Sequence, residues 1–269
     1  MLSSLSPARR RMALVLGAVL VAAVVLAVSV TAARRRGGDS VAATAPVTPG
    51  PVLLIPGYGG TTSDLTVLAD VLRRHGRDVR TVSLPDGGIG DLRGQAKALG
   101  TAVDEALKQT GRPSADLVGY SAGGVVARLY VRSYAGAGKV RRVVTLGSPQ
   151  HGTQLAAAGA ALGSSVCPLA CQQLVPGSDL LAQLNQGRET PAGATFVSLW
   201  SMVDQTVTPP DSARLNGSLG MSIQSICSTS TVAHGDLPRN PLVTAIVAAE
   251  LDGAQITQFG PMDCATLSS

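Results

Sequence analysis

Three residues far apart in the chain have the types that together attack a carbonyl carbon: an alcohol at Ser121, a carboxylate at Asp204 and an imidazole at His234. Ser121 centres Gly119-Tyr120-Ser121-Ala122-Gly123, a G-x-S-x-G, with Gly124 directly after it. Alone the pattern is weak in a chain with 31 glycines, where a glycine-rich turn holding an incidental serine is the plain alternative. Its setting is more specific, because a predicted strand over 116–119 leads in and a predicted helix over 122–134 leads out. A serine on so sharp a turn sits at strained backbone angles with its Oγ above the sheet. Side chains two positions away on either side would collide, so glycine is needed there.

A serine hydroxyl becomes a useful nucleophile only when a base takes its proton. In this strand–turn–helix setting the order along the chain is serine, acid, histidine. Only His151 and His234 follow Ser121. His151 leaves no room for an acid before it, whereas His234 lies in Thr231-Val232-Ala233-His234-Gly235-Asp236, between the last predicted strand and the last predicted helix. His75 ends an earlier helix, where a cation suits the dipole, and reads as structural. The acid expected is Asp204, directly after the apolar stretch 197–203, with the task of fixing the imidazole tautomer and stabilising the imidazolium. Asp211, behind Pro209-Pro210, and Asp179, in an irregular stretch, are the competitors; a turn-forming aspartate is the plain reading of each. A tetrahedral intermediate also needs two inward-facing amides. Ala122 would supply one, and Tyr58, in Pro56-Gly57-Tyr58-Gly59-Gly60, the other, unless that glycine cluster is only a turn. No Lys-Ser/Thr follows this loop, so it does not read as a phosphate cradle.

The elements that must carry these residues alternate. Strands are expected at 52–55, 78–84, 116–119, 140–146, 194–201 and 221–227, and helices at 63–75 (capped by Ser63), 92–110, 122–134 and 240–251. Such alternation predicts an α/β domain with a mostly parallel sheet covered by helices on both faces. Residues 152–190 break the rhythm and read as an insertion at the top of the sheet. It is too short for a large lid domain, but its Ala-rich part, 155–162, forms either a small apolar rim or an ordinary packed helix.

The charge of +5 sits in the head: residues 1–40 hold six arginines and Asp39, and the remainder is neutral. With no basic stripe interleaved with aromatics, a nucleic-acid partner is not expected. Residues 1–36, basic on both flanks of an apolar run over 12–30, read as a signal peptide or an uncleaved membrane anchor over 12–33. Either reading sends the body out of the cytoplasm. Residues 37–50 read as a flexible linker and 51–269 as the folded domain. Cys167, Cys171, Cys227 and Cys264 fit an oxidising compartment. Of their three pairings we favour Cys167–Cys171, with Pro168 as the turn, and Cys227–Cys264; buried thiols are the alternative. The cysteine spacing and scattered histidines argue against a zinc site.

Gly57-Tyr58-Gly59-Gly60, the segment Gly119 to Gly124, Leu146-Gly147-Ser148-Pro149 with Gly152-Thr153, Asp204 and His234 together resemble small secreted bacterial lipases of the α/β-hydrolase superfamily, closest to the actinobacterial type. The resemblance runs in order from Pro51 to Cys264. It implies hydrolysis of triacylglycerol or another carboxylic ester by a Ser–His–Asp triad through an acyl-enzyme, without a cofactor. The expected partner is a lipid or other hydrophobic ester, no metal is expected, and the chain is expected to act as a monomer. Relatives commonly carry histidine before the serine and a longer residue after it. Tyr120 and Ala122 stand here instead; Tyr120, Gly57 and His151 are expected to border the substrate. Acyl transfer or thioester hydrolysis in the cell envelope would use the same three residues. An inactive binding module would be expected to have lost one of them.

Overall fold

The computed structural model describes residues 49–268, so the head and most of the expected linker lie outside the described residues. Six strands, β1 (Val52–Ile55), β2 (Val79–Thr81), β3 (Ala115–Tyr120), β4 (Val140–Leu146), β5 (Thr195–Trp200) and β6 (Leu219–Ser222), form one parallel sheet in the order β2-β1-β3-β4-β5-β6. Between them run α1 (Thr66–Arg74), α2 (Leu92–Thr110), α3 (Ala122–Ser133), α4 (Gln154–Ala161), α5 (Leu169–Gln173) and α6 (Asp179–Asn185), and α7 (Ile223–Ile226), α8 (Pro241–Asp252) and α9 (Cys264–Leu267) follow β6.

The strands are apolar on both sides because helices cover both faces. Their side chains divide with period two. Leu53, Ile55, Leu117 and Val143 join one core with Leu92, Leu99, Val125 and Val126 of α2 and α3. Val52, Leu54, Val118, Val144 and Leu199 join the other with Leu68 and Leu72 of α1 and Val243 and Ile246 of α8. The chain leaves β1 towards β2 and returns to lay β3 on the opposite side of β1. The loops after β1 and β3 therefore part at a topological switch point, where open α/β sheets form their ligand crevice.

Some expected elements differ. No side chain caps the first helix from Ser63; a single 3₁₀ turn, Thr62–Leu65, comes first, with the Thr61 hydroxyl bonded to Asp64. The second strand shrinks to Val79–Thr81 because it is an edge strand that pairs with β1 over three residues only. The last strand ends at Ser222, which caps α7; Ile223 and Ile226 are three apart and both are buried as one face of that helical turn. The stretch 152–190 is not irregular but forms α4, α5 and α6. Only Ala156 of α4 is buried, while Leu155 and Leu162 are 57% and 71% exposed, so this part presents apolar side chains to solvent rather than packing as an ordinary buried helix.

Both favoured disulfides, Cys167–Cys171 and Cys227–Cys264, are formed, which suggests an extracellular protein. Among the described residues no helix is long and apolar enough to cross a membrane.

At the start of β3 the fully buried Asp116 accepts from Arg77 Nη2 (2.5 Å) and from Arg141 Nε (2.8 Å) and Nη2 (2.5 Å). Removing one partner of such a group leaves buried charge uncompensated. Asp116→Ala is therefore expected to lower unfolding free energy by about 3–5 kcal/mol in denaturant titrations. A loss below about 1 kcal/mol would show that the pairing contributes little.

Candidate active site

Ser121 lies between the last residue of β3 and the first of α3, at φ 52° and ψ −127°. Few side chains tolerate that conformation, and the surrounding glycines show what imposes it. A Cβ on Gly119 would run into the backbone of Gly123 and Gly124, and one on Gly123 into the carbonyls of Ile55 and Pro56. The turn is thus pressed between β1 and its own helix.

His234 follows the loop 227–233 and is 8% exposed. Its Nε2 lies 3.0 Å from Ser121 Oγ and its Nδ1 2.6 Å from Asp204 Oδ2. An ionised carboxylate only accepts, so Nδ1 carries the hydrogen and Nε2 is left to accept the serine proton. Asp204 follows β5 and is 4% exposed. Its other oxygen, Oδ1, accepts from the amides of Thr206 and Val207, each at 2.8 Å. Buried acceptor capacity is thereby filled on one side and aimed at the imidazole on the other. Asp211, the competing acid, is exposed in a 3₁₀ turn, and Asp179 opens α6.

Beneath this pair lies Gly147, at φ 54°. A Cβ there would stand 2.6 Å from Leu237 and 3.2 Å from both Asp204 Oδ2 and His234 Nδ1. The sequence offered a signal in the motif Leu146-Gly147-Ser148-Pro149, but not the reason, which is that bare backbone must close under the imidazole and carboxylate.

Tyr120 was expected at the substrate border. The structure buries it instead: its hydroxyl donates to the His234 carbonyl at 3.2 Å, and the two rings lie 5.2 Å apart. Burial, reinforced by the nearby Asp64 and Asp204, pushes its phenol up to about 12, so it stays a protonated donor at neutral pH. The residue before Ser121 is thus tied to the backbone of His234.

Gly57 packs against the nucleophile; a Cβ on it would stand 2.9 Å from Ser121 Cβ and 3.5 Å from Oγ. The Gly57–Gly60 turn closes with the Gly60 amide donating to Gly57 O. Its outer side meets a second glycine turn, since a Cβ on Gly88 would lie 3.2 Å from the Gly60 backbone. Tyr58 extends its side chain to solvent at this turn. Ala122 is the first residue of α3, so its amide has no acceptor within the helix. His151 does not join Ser121. Its Nδ1 faces Ser212 O at 3.2 Å and its Nε2 faces Glu189 Oε1 at 3.1 Å. Burial opposes ionisation of Glu189, but the Asn216 amide and His151 outweigh it and hold the carboxyl below its ordinary value. Among the described residues no cluster could hold a metal ion.

A parallel open sheet with a serine on the turn after its central β3, an acid after β5 and a histidine before the last long helix is the α/β-hydrolase architecture. The lipase (class 2) family model matches residues 97–234, just over half of the chain, and the chain belongs to that family. The matched segment holds Ser121 and Asp204 and ends on His234. Among solved structures, the chain is similar to lipase B of Aspergillus fumigatus, with 17% identity over 82% of this chain and 56% of that one, and a TM-score of 0.68. It is also similar to the lipase BlEst2 of Bacillus licheniformis. The propeptide form gives 21% identity, 83% and 54% coverage and a TM-score of 0.65; the mature form gives 21%, 68% and 86%, and 0.57. The chain thus spans little more than half the length of the Aspergillus lipase and of the BlEst2 propeptide form. At these identities the likeness is one of fold. No curated protein matches the chain.

Proposed function

We propose that the protein hydrolyses carboxylic esters of lipids through an acyl-enzyme on Ser121. The observation that carries this reading is the position of His234, within hydrogen-bond distance of Ser121 Oγ on one side and Asp204 on the other. As Oγ attacks the ester carbonyl carbon, its proton passes to Nε2, and Asp204 stabilises the imidazolium that results. The carbonyl oxygen takes up the electron pair and is held by the amides of Ala122 and Tyr58. Collapse breaks the bond to the alcohol, which leaves with the proton from Nε2. Water then repeats the sequence on the acyl-enzyme: it loses a proton to Nε2, displaces Oγ and releases the acid.

Lipid rather than polar esters are favoured by the exposed Leu155, Leu162 and Val166 of the stretch 152–190 and by Met202 and Val203 beside Asp204. Monomeric action outside the cytoplasm, with or without tethering by residues 12–33, completes the proposal. The test is turnover of p-nitrophenyl esters from short to long acyl chains by the purified chain without added metal or cofactor. Turnover that persists into long chains is expected. A folded protein inert on every length would overturn the reading, and acyl products formed on added alcohols in place of free acid would redirect it to acyl transfer.

A further inference from the structure

Thr153, the residue that caps the start of α4, is 6% exposed. All its hydrogen-bonding capacity is in use. Its hydroxyl donates to Thr206 O at 2.6 Å and accepts from the amides of Thr208 at 3.1 Å and Leu155 at 3.3 Å. Its own amide donates to Leu174 O, and the next amide, of Gln154, donates to Thr208 O. The loop 204–208, which belongs to no helix or strand, is therefore fastened to the start of α4 mainly through this side chain.

The point of attachment is specific. Thr206 C=O and Val207 N–H are two ends of one peptide group, and that N–H is one of the two donors to Asp204 Oδ1. A hydrogen bond to the carbonyl of an amide polarises the group and strengthens what its N–H donates. Connected bonds thus run from the Thr153 hydroxyl through this peptide to Asp204, His234 and Ser121.

We propose that Thr153 is a positioning residue for the acid, its hydroxyl fixing the Thr206–Val207 peptide that holds Asp204 towards His234. The inference rests on the proposed Ser–His–Asp chemistry. Thr153 touches no reacting atom and acts only through Asp204.

Thr153→Val keeps the shape and removes the hydroxyl, while Thr153→Ser keeps the hydroxyl. With a p-nitrophenyl ester the valine variant is expected to lose about 10- to 100-fold in kcat with KM nearly unchanged, the scale set by a small misplacement of a catalytic group. The serine variant should stay within about threefold of wild type. The deciding measurement repeats Thr153→Val in an Asp204→Asn background. A residue that works through the carboxylate has no further effect there, whereas a general structural defect, such as the lost cap of α4, subtracts the same factor in both backgrounds. Equal losses in the two backgrounds, a neutral valine variant, or a serine variant as slow as valine would overturn the inference while leaving the hydrolase reading intact. An inert wild type would overturn both. If the valine variant does not fold, Thr153→Ala takes its place in the same two backgrounds, with the same outcomes deciding.

Discussion

Ser121→Ala and His234→Ala are each expected to lower kcat by about 10⁵- to 10⁶-fold, with KM little changed, and combining them should cost no more than either alone. The size follows from how the two side chains work. In the proposed mechanism the hydroxyl attacks and the imidazole 3.0 Å away is the base that activates it, so removing one would idle the other. Alanine at 121 meets the same φ of 52° as serine, so the fold is expected to survive. Melting curves of the variants should overlay the wild type. Residual turnover then comes from the amides of Ala122 and Tyr58 and from substrate binding. A folded variant within tenfold of wild type would remove that residue from the mechanism.

Asp204→Asn is expected to give the second large loss, about 10⁴-fold in kcat, the scale known for the acid of Ser–His–Asp hydrolases. The reason lies in the two amides, Thr206 and Val207, that converge on Oδ1. They orient an asparagine with its carbonyl oxygen towards them and its NH₂ towards His234. Nδ1 must then accept, which places the imidazole hydrogen on Nε2, where it can no longer take the serine proton. The structure thereby predicts the wrong tautomer rather than a vacancy. Asp211→Asn serves as the control and should stay within about twofold, as expected for an exposed surface carboxylate. Wild-type rates for Asp204→Asn, or a collapse for Asp211→Asn, would reassign the acid.

What was legible in the sequence and what was not divide on physical lines. β4 and α2 have the bounds expected of them because their signals are local: an unbroken apolar run in one, and the Asp91 cap and left-handed Gly111 at the ends of the other. The G-x-S-x-G turn was visible because its glycines answer to a steric demand that any backbone of this kind makes. β6 and α7 were misjudged because Met221, Ile223 and Ile226 suit a strand and a helical turn alike, and only the neighbouring strand decides where pairing stops. The insertion offered a helix only at its Ala-rich stretch, where α4 lies, and hid α5 and α6, which are too short to show a helical period. The site's supports were the least legible. Nothing local in Gly119-Tyr120-Ser121 says that the tyrosine reaches a carbonyl 114 residues away, or in Gly152-Thr153 that the threonine holds a peptide beside the acid. Those contacts exist only once β3, β4 and β5 are adjacent. Tyr120, expected at the substrate border, is buried against His234 for that reason.

The central claim is that Ser121 alone among the serines is activated, and a fluorophosphonate probe reads this directly because it reacts covalently with an activated serine. Incubating the full chain with the probe and locating the adduct by mass spectrometry of peptides should show one modification per chain, on Ser121. The modification should be absent in Ser121→Ala and greatly slowed in His234→Ala. A folded wild-type protein that takes up no probe, or a Ser121→Ala variant modified to the same extent, would contradict it.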